Sequence, residues 1–282
     1  MRIELLGAES LGVRGLACAV EADGRRIVID PGLALGYHRN GLLPHPAQVA
    51  VGECVRRRIL DALDGATDVV MSHLHGDHVP LPDANPYQLK AQSVASLSRS
   101  QRLWVKGRRG LSSHMVARRR ALSDTLDRTL PVADGETDGP LAFSPPVAHG
   151  EPHTHLGTVI MTRVKDALVG GPPLYLSDFL GARRRERAWR NAERLARSID
   201  TLILDHHLLR CEEGLSWLDR LSSKSGHRVM CAADFMEQPR CLLEARREAL
   251  YQEMPVPAGW HEAYARGEAD TSGYRRYVGQ CT

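Results

Sequence analysis

The segment Ser72-His73-Leu74-His75-Gly76-Asp77-His78 sets three imidazoles and one carboxylate within six residues, directly after the strand-like run Asp68–Met71. In a chain leaving a strand in extended form, His73 and His75 are two apart and face the same way. Gly76 lets the backbone turn, so Asp77 and His78 can address a second position close by. Imidazole with carboxylate is a donor set for zinc, iron or manganese rather than for a thiolate-loving ion. Four ligand-type residues at this spacing seldom arise without a metal to hold. An ion held this way draws the pKa of its bound water towards ~7 and polarises a carbonyl or phosphoryl oxygen, which is the chemistry of metal-assisted hydrolysis.

More ligand-type residues recur where strands are expected to end. His149, His153 and His155 lie in one polar stretch, Asp178 closes the run Leu174-Tyr175-Leu176-Ser177, and His206 and His207 follow Thr201-Leu202-Ile203-Leu204. Neighbours in an extended chain point in opposite directions, so only one of His206 and His207 faces a given site. Asp30 and Asp205, each closing a strand, are placed to hydrogen-bond a ligand from behind. Arg210, three residues past His207, could clamp an anionic group.

The elements that carry these residues read as follows. Strands are expected over 2–8, 17–21 and 25–30, the last two joined by Ala22-Asp23-Gly24, a strong hairpin signal. A Gly/Pro-rich loop over 33–48 holds His38 and His45, and apolar spacing predicts a helix over 51–63. A second helix is expected over 112–128, capped by Ser112 or Ser113, with Arg118-Arg119-Arg120 on a solvated face. Further strands are expected over 142–144, 158–164, 174–178, 201–204 and 227–231, with a basic helix over 181–198 and a helix over 239–253. Strands first, then strand-helix alternation, fits two sheets with helices outside.

Bulk properties bound the reading. A chain of 282 residues with 43% hydrophobic and 25% charged content builds a full core, read here as one domain over 1–282. A net charge of +3 disfavours a nucleic-acid partner. No signal-peptide stretch opens the chain and no run reaches membrane-span length, so a cytoplasmic protein without a membrane partner is expected. The six cysteines contain no CxxC and are expected as reduced thiols.

His-x-His-x-Asp-His after a strand resembles the first metal motif of the metallo-β-lactamase superfamily. The strings ESLGVRGLA, IDPGLALG, LLPHP, LDHHLLR and AADF…LLEARREALY further resemble a largely archaeal family of predicted metallo-hydrolases. The resemblance covers most of the chain and implies an αββα sandwich, two mixed sheets with helices on the outer faces. It implies two divalent ions, zinc first, with iron or manganese as alternatives. His73, His75 and His149 would hold one ion; Asp77, His78 and a late histidine would hold the other, and Asp178 would bridge them. His207 is favoured as that late ligand, with His206 behind it, and His153 and His155 are left to contact substrate.

The reading is a binuclear metallo-hydrolase acting on an ester, amide, thioester or phosphodiester of a small molecule, with Asp77 orienting the nucleophile and shuttling its proton. A di-iron oxidase or oxygenase on the same fold and a nuclease are the alternatives, and a homo-oligomer is left open.

Overall fold

The computed structural model describes residues 1–143, 166–176 and 181–281. Strands β1 (Arg2–Ala8), β2 (Leu16–Ala22) and β3 (Arg25–Ile29) pair antiparallel in sequence order. The β2–β3 turn is the two-residue Asp23-Gly24 expected, both residues left-handed at φ 50° and 73°.

Helix α1 (Pro46–Asp64) starts five residues earlier than the apolar spacing indicated. Pro46 fits the first helical position, Ala47 N–H donates to His45 Nδ1 at 3.1 Å, and His45 N–H donates to Gln48 Oε1 at 2.9 Å. His45 is therefore a buried helix cap rather than a loop residue.

Strands β4 (Asp68–Met71) and β5 (Arg102–Val105) extend the sheet in parallel, giving the order β1-β2-β3-β4-β5. Helix α2 (Ser113–Leu126) is capped by Ser112. Its arginine run is not one solvated face: Arg118 donates to Leu74 O at 2.9 Å and buried Arg119 donates to Leu130 O.

A small hairpin, β6 (Thr137–Asp138) and β7 (Leu141–Ala142), precedes a second, parallel sheet. This sheet is built by β8 (Asp166–Val169), helix α3 (Ala182–Ser198), β9 (Thr201–Leu204), helix α4 (Glu212–Ser225) and β10 (Arg228–Met230), in the order β10-β9-β8. Helices α5 (Ala232–Phe235), α6 (Arg247–Glu253), α7 (Trp260–Arg266) and α8 (Arg275–Cys281) complete the described chain. The architecture is mixed α/β.

Three expectations shift. Leu174 and Tyr175 form a turn, and the strand lies upstream at β8; the strand expected over 158–164 is outside the described residues. The helix expected over 239–253 is confined to α6. Cys18 and Cys231 are buried thiols, but Cys241 is disulfide-bonded. No helix among the described residues is long and apolar enough to cross a membrane.

Both faces of the five-stranded sheet are buried, which explains the unbroken apolar run in β4. Leu6, Val28, Val69 and Met71 pack with Ile59 of α1 and Leu122 of α2. Their strand neighbours Leu5, Ile27, Ile29 and Val70 face Val169 and Leu202 of the second sheet, with Ala192 and Leu218 from α3 and α4 in the same cluster.

The start of β4 is fixed electrostatically. Buried Asp68 accepts from Arg25 of β3, from Trp104 Nε1 of β5 at 2.9 Å and from Thr67 Oγ1 at 2.7 Å. Burial alone would raise its pKa; these donors outweigh it and hold the carboxyl at about 2, against 3.8 for a free side chain. A depressed native pKa contributes stability that is complete above the unfolded value and is lost as pH falls towards the folded one. Asp68→Asn should therefore cost about 1–3 kcal/mol at neutral pH and flatten the loss of Tm that the parent shows between pH ~4 and ~2. Thermal melts across that range check it; parallel acid limbs in parent and variant would refute the assignment.

Candidate metal centre

The loop after β4 is held by the residue after β3. Asp30 accepts from Ser72 N–H at 2.7 Å, from Ser72 Oγ at 2.5 Å and from His78 Nδ1 at 2.8 Å. This gives Asp30 the orienting place expected for it. With its proton on Nδ1, His78 presents the Nε2 lone pair. Burial lowers the pKa of His78, but the Asp30 and Asp77 carboxylates outweigh burial and raise it above the ordinary histidine value.

The imidazoles cluster. The His73 ring lies 3.9 Å from that of His78 and 5.0 Å from that of His75, centroid to centroid. His206 comes in from the second sheet, its Nε2 at 3.3 Å from His78 Nε2 and 3.4 Å from Asp77 Oδ2. Two triads result, each with its ligand atoms within 4.8 Å of one another: Asp77, His78 and His206, and Asp30, His73 and His78.

The structure sets His206 against Asp77 and His78, and the backbone explains how. The residues after β9 do not continue extended: His206–Arg210 is a 3-10 turn, entered by His206 in the left-handed region at φ 55°. Asp205 locks that turn, accepting His206 N–H at 2.6 Å, Ser10 N–H and Oγ at 3.1 and 2.5 Å, and Ala232 N–H at 2.9 Å. Asp205 thus orients the site through the backbone and not through a ring nitrogen. The hydroxyl of Tyr175 is 3.3 Å from His207 Nδ1. Burial and the neighbouring positive groups push the pKa of both histidines well down, leaving them neutral, as a metal ligand must be.

Arg210 is buried and fully engaged. Its Nε donates to Glu9 Oε2 at 2.8 Å, Nη1 to the Tyr175 hydroxyl oxygen at 3.0 Å, and Nη2 to Asp77 Oδ2 at 3.3 Å. These bonds tie Asp77 to Glu9 and Tyr175 through one guanidinium. Burial alone would raise the pKa of Asp77; the positive groups beside it, His78 and Arg210 foremost, outweigh burial and hold the carboxyl well below the usual range, so Asp77 is ionised. Glu9, in the ESLGVRGLA string but not picked out as a site residue, is buried with Oε1 unpartnered among the described residues. Burial pushes its pKa up to about 7, with Arg210 opposing.

Two glycines admit the loop over 72–78. A Cβ on Gly32 would meet the His78 carbonyl carbon and Val79 N at 2.3 Å, and one on Gly15 would meet Asp77 O at 2.9 Å. His149, His153, His155 and Asp178 lie outside the described residues.

The described donors fit a divalent ion. Tetrahedral zinc with Zn–N of about 2.0–2.1 Å separates neighbouring ligand atoms by about 3.3 Å, the spacing found from His206 Nε2 to His78 Nε2 and close to that to Asp77 Oδ2. Gly15 N–H and Arg210 Nη2 stand 3.3 and 3.0 Å from His206 Nδ1, so its Nε2 is the nitrogen that faces His78 and Asp77.

No protein-family model matches the chain, and no solved structure matches it. A UPF0282 protein of Methanosarcina mazei is 43% identical over 303 residues, covering 97% of this chain and 99% of its own. UPF0282 proteins of Methanopyrus kandleri (30% identical; 89% of this chain, 99% of the relative) and Aeropyrum pernix (31%; 88% and 98%) align over nearly the same span. Their descriptions name a family and no reaction. With end-to-end similarity of this strength, the chain belongs to the UPF0282 protein family.

Proposed function

We propose that this chain is a metal-dependent hydrolase of the metallo-β-lactamase type, acting on a small molecule with an ester, amide, thioester or phosphodiester bond. The observation that carries the reading is the buried convergence of Asp77, His78 and His206 from two sheets, with Asp30 fixing the tautomer of His78. The order of packing, helices on one sheet, that sheet on a second, and further helices beside the second, supports the αββα sandwich.

His73 and His75 would hold one ion, with His149 as the partner implied by resemblance. Asp77, His78 and His206 would hold the other, with Asp178 between the two. When bound, such ions supply an ionised water at neutral pH and polarise the scissile group. The chain's own residues prepare the place for this. Asp30 keeps a lone pair of His78 directed inward, and Asp205 holds the His206 turn. Arg210 keeps Asp77 ionised and in place, so that carboxylate acts as an orienting acceptor for the nucleophile; its low pKa makes it a poor proton carrier near neutrality. Glu244 and Arg14, buried or half-buried near Arg210 and linked to each other, close the wall behind it.

Two outcomes are expected. Protein loaded with zinc, iron or manganese and freed of excess ion should retain about two per chain by elemental analysis. His78→Ala and His206→Ala should each lose at least one without unfolding, and His207→Ala should lose less than His206→Ala. Full metal content in His78→Ala would refute the assignment, and esterase and phosphodiesterase screens of the loaded protein test the activity itself.

The second outcome concerns pH. Ion uptake needs neutral His78, whose pKa Asp30 raises, so uptake falls as pH drops through that raised value. Asp30→Asn should weaken affinity about 10–100-fold by loosening the ring, yet move the midpoint of the pH profile downward. A midpoint that stays put or rises would contradict the Asp30–His78 coupling.

A further inference from the structure

Helix α3 carries seven arginines and two glutamates, a net +5 on 17 residues in a chain whose total is +3, so the remainder sums to −2. The arginines are ordered. Arg183, Arg187, Arg190, Arg194 and Arg197 recur at alternating steps of four and three, which at 100° per residue keeps them within about 40° of one line along the helix. All five are exposed. The buried alanines Ala188, Ala192 and Ala196 lie on the diametrically opposite line, against the second sheet.

Among the described residues only Arg190 of the five has an ion pair, with Glu186 at 3.3 Å. Like charges at these spacings stand about 5–6 Å apart and destabilise an isolated helix. Arg220 and Lys224 of α4 widen the basic surface, both held over the Trp189 ring, at 3.9 and 5.4 Å from its centre. The arginine run of α2 offers a contrast, since two of its three members are spent on backbone carbonyls.

We propose that the outer face of α3 binds the phosphate backbone of a single nucleic-acid strand. Guanidinium groups suit phosphate oxygens, which they engage bidentately. The stripe is about 21 Å long at 1.5 Å per residue, and covers on the order of six phosphates at 3.4 Å of axis per strand. A duplex strand would wind more than half a turn over that length and leave a straight line of charges; a single strand can follow it. The face offers an anionic membrane nothing to insert, because none of the large exposed hydrophobic residues lies on α3. As the crossover between parallel β8 and β9, α3 has its first turn on the side of the strand ends that carry Asp205 and His206. This surface goes beyond the hydrolase reading and stands on its own observations.

The test is fluorescence anisotropy of the full chain with a labelled 20-nucleotide single-stranded RNA, a DNA of the same sequence and its duplex, between 50 and 200 mM salt. Arg187→Gln/Arg190→Gln/Arg194→Gln is compared with a charge-matched control of three exposed arginines elsewhere, Arg57→Gln/Arg99→Gln/Arg120→Gln. The triple variant on α3 should bind single strands at least about tenfold more weakly at 50 mM salt, with the log–log salt slope reduced by about 2. The control should stay within about a factor of two, and metal uptake should be unchanged in both, which separates this outcome from failure of the metal centre. Absent binding by the parent, equal loss in both variants, tighter binding of the duplex, or preferential binding of phosphatidylserine vesicles would each overturn the proposal.

Discussion

One carboxylate, that of Asp30, ties the molecule's two parallel strand ends to its chemistry. It receives both polar hydrogens of Ser72 and the Nδ1 proton of His78, so the turn leaving β3 and the loop leaving β4 are a single unit. Asp30 adopts a left-handed backbone at φ 49° to reach this position, a conformation that needs surrounding contacts to persist. Gly32 follows because any side chain there would collide with the His78 backbone. Parallel pairing of β3 with β4 brings those ends side by side, and open α/β sheets present their sites at the carboxyl ends of strands for this reason.

A second carboxylate performs the matching task from the other sheet. Asp205 gathers donors from the end of β1, from its own turn and from the start of α5, and in doing so aims His206 across the gap between sheets. Between these two anchors lies a dense set of buried charges. Arg210 stands between Glu9 and Asp77 and bonds to both, which offsets the repulsion of two buried acids held close together. Removing one partner of such a group costs more than the pair contributes, because the remaining charge is left buried. The cluster therefore fixes geometry more than it adds stability.

Local patterns in the sequence located the strand β1, the Asp-Gly turn, the Ser112 cap and the histidine-rich turn after β4, since each depends on neighbours within a few residues. The start of α1 was hidden because histidine is an uncommon cap and the Pro-rich approach reads as loop. The partnership of Glu9 with Arg210 spans 201 positions, and nothing local marks either residue for the other. Alternation in an extended chain let only one of His206 and His207 face a given site; a left-handed residue at the end of β9 breaks that alternation, and neither residue type signals it. Among basic runs, sequence alone could not separate α2, two of whose three clustered arginines are consumed by carbonyls, from α3, five of whose arginines line up facing outward.

The central claim is that imidazoles and a carboxylate from both sheets surround one ion. X-ray absorption on the zinc- or cobalt-loaded chain reads that shell directly. Nitrogen and oxygen neighbours are expected at about 2.0–2.1 Å with the multiple scattering of imidazole, diminished when His78 and His206 are replaced together. A shell of sulfur, or of water oxygens alone, would contradict it.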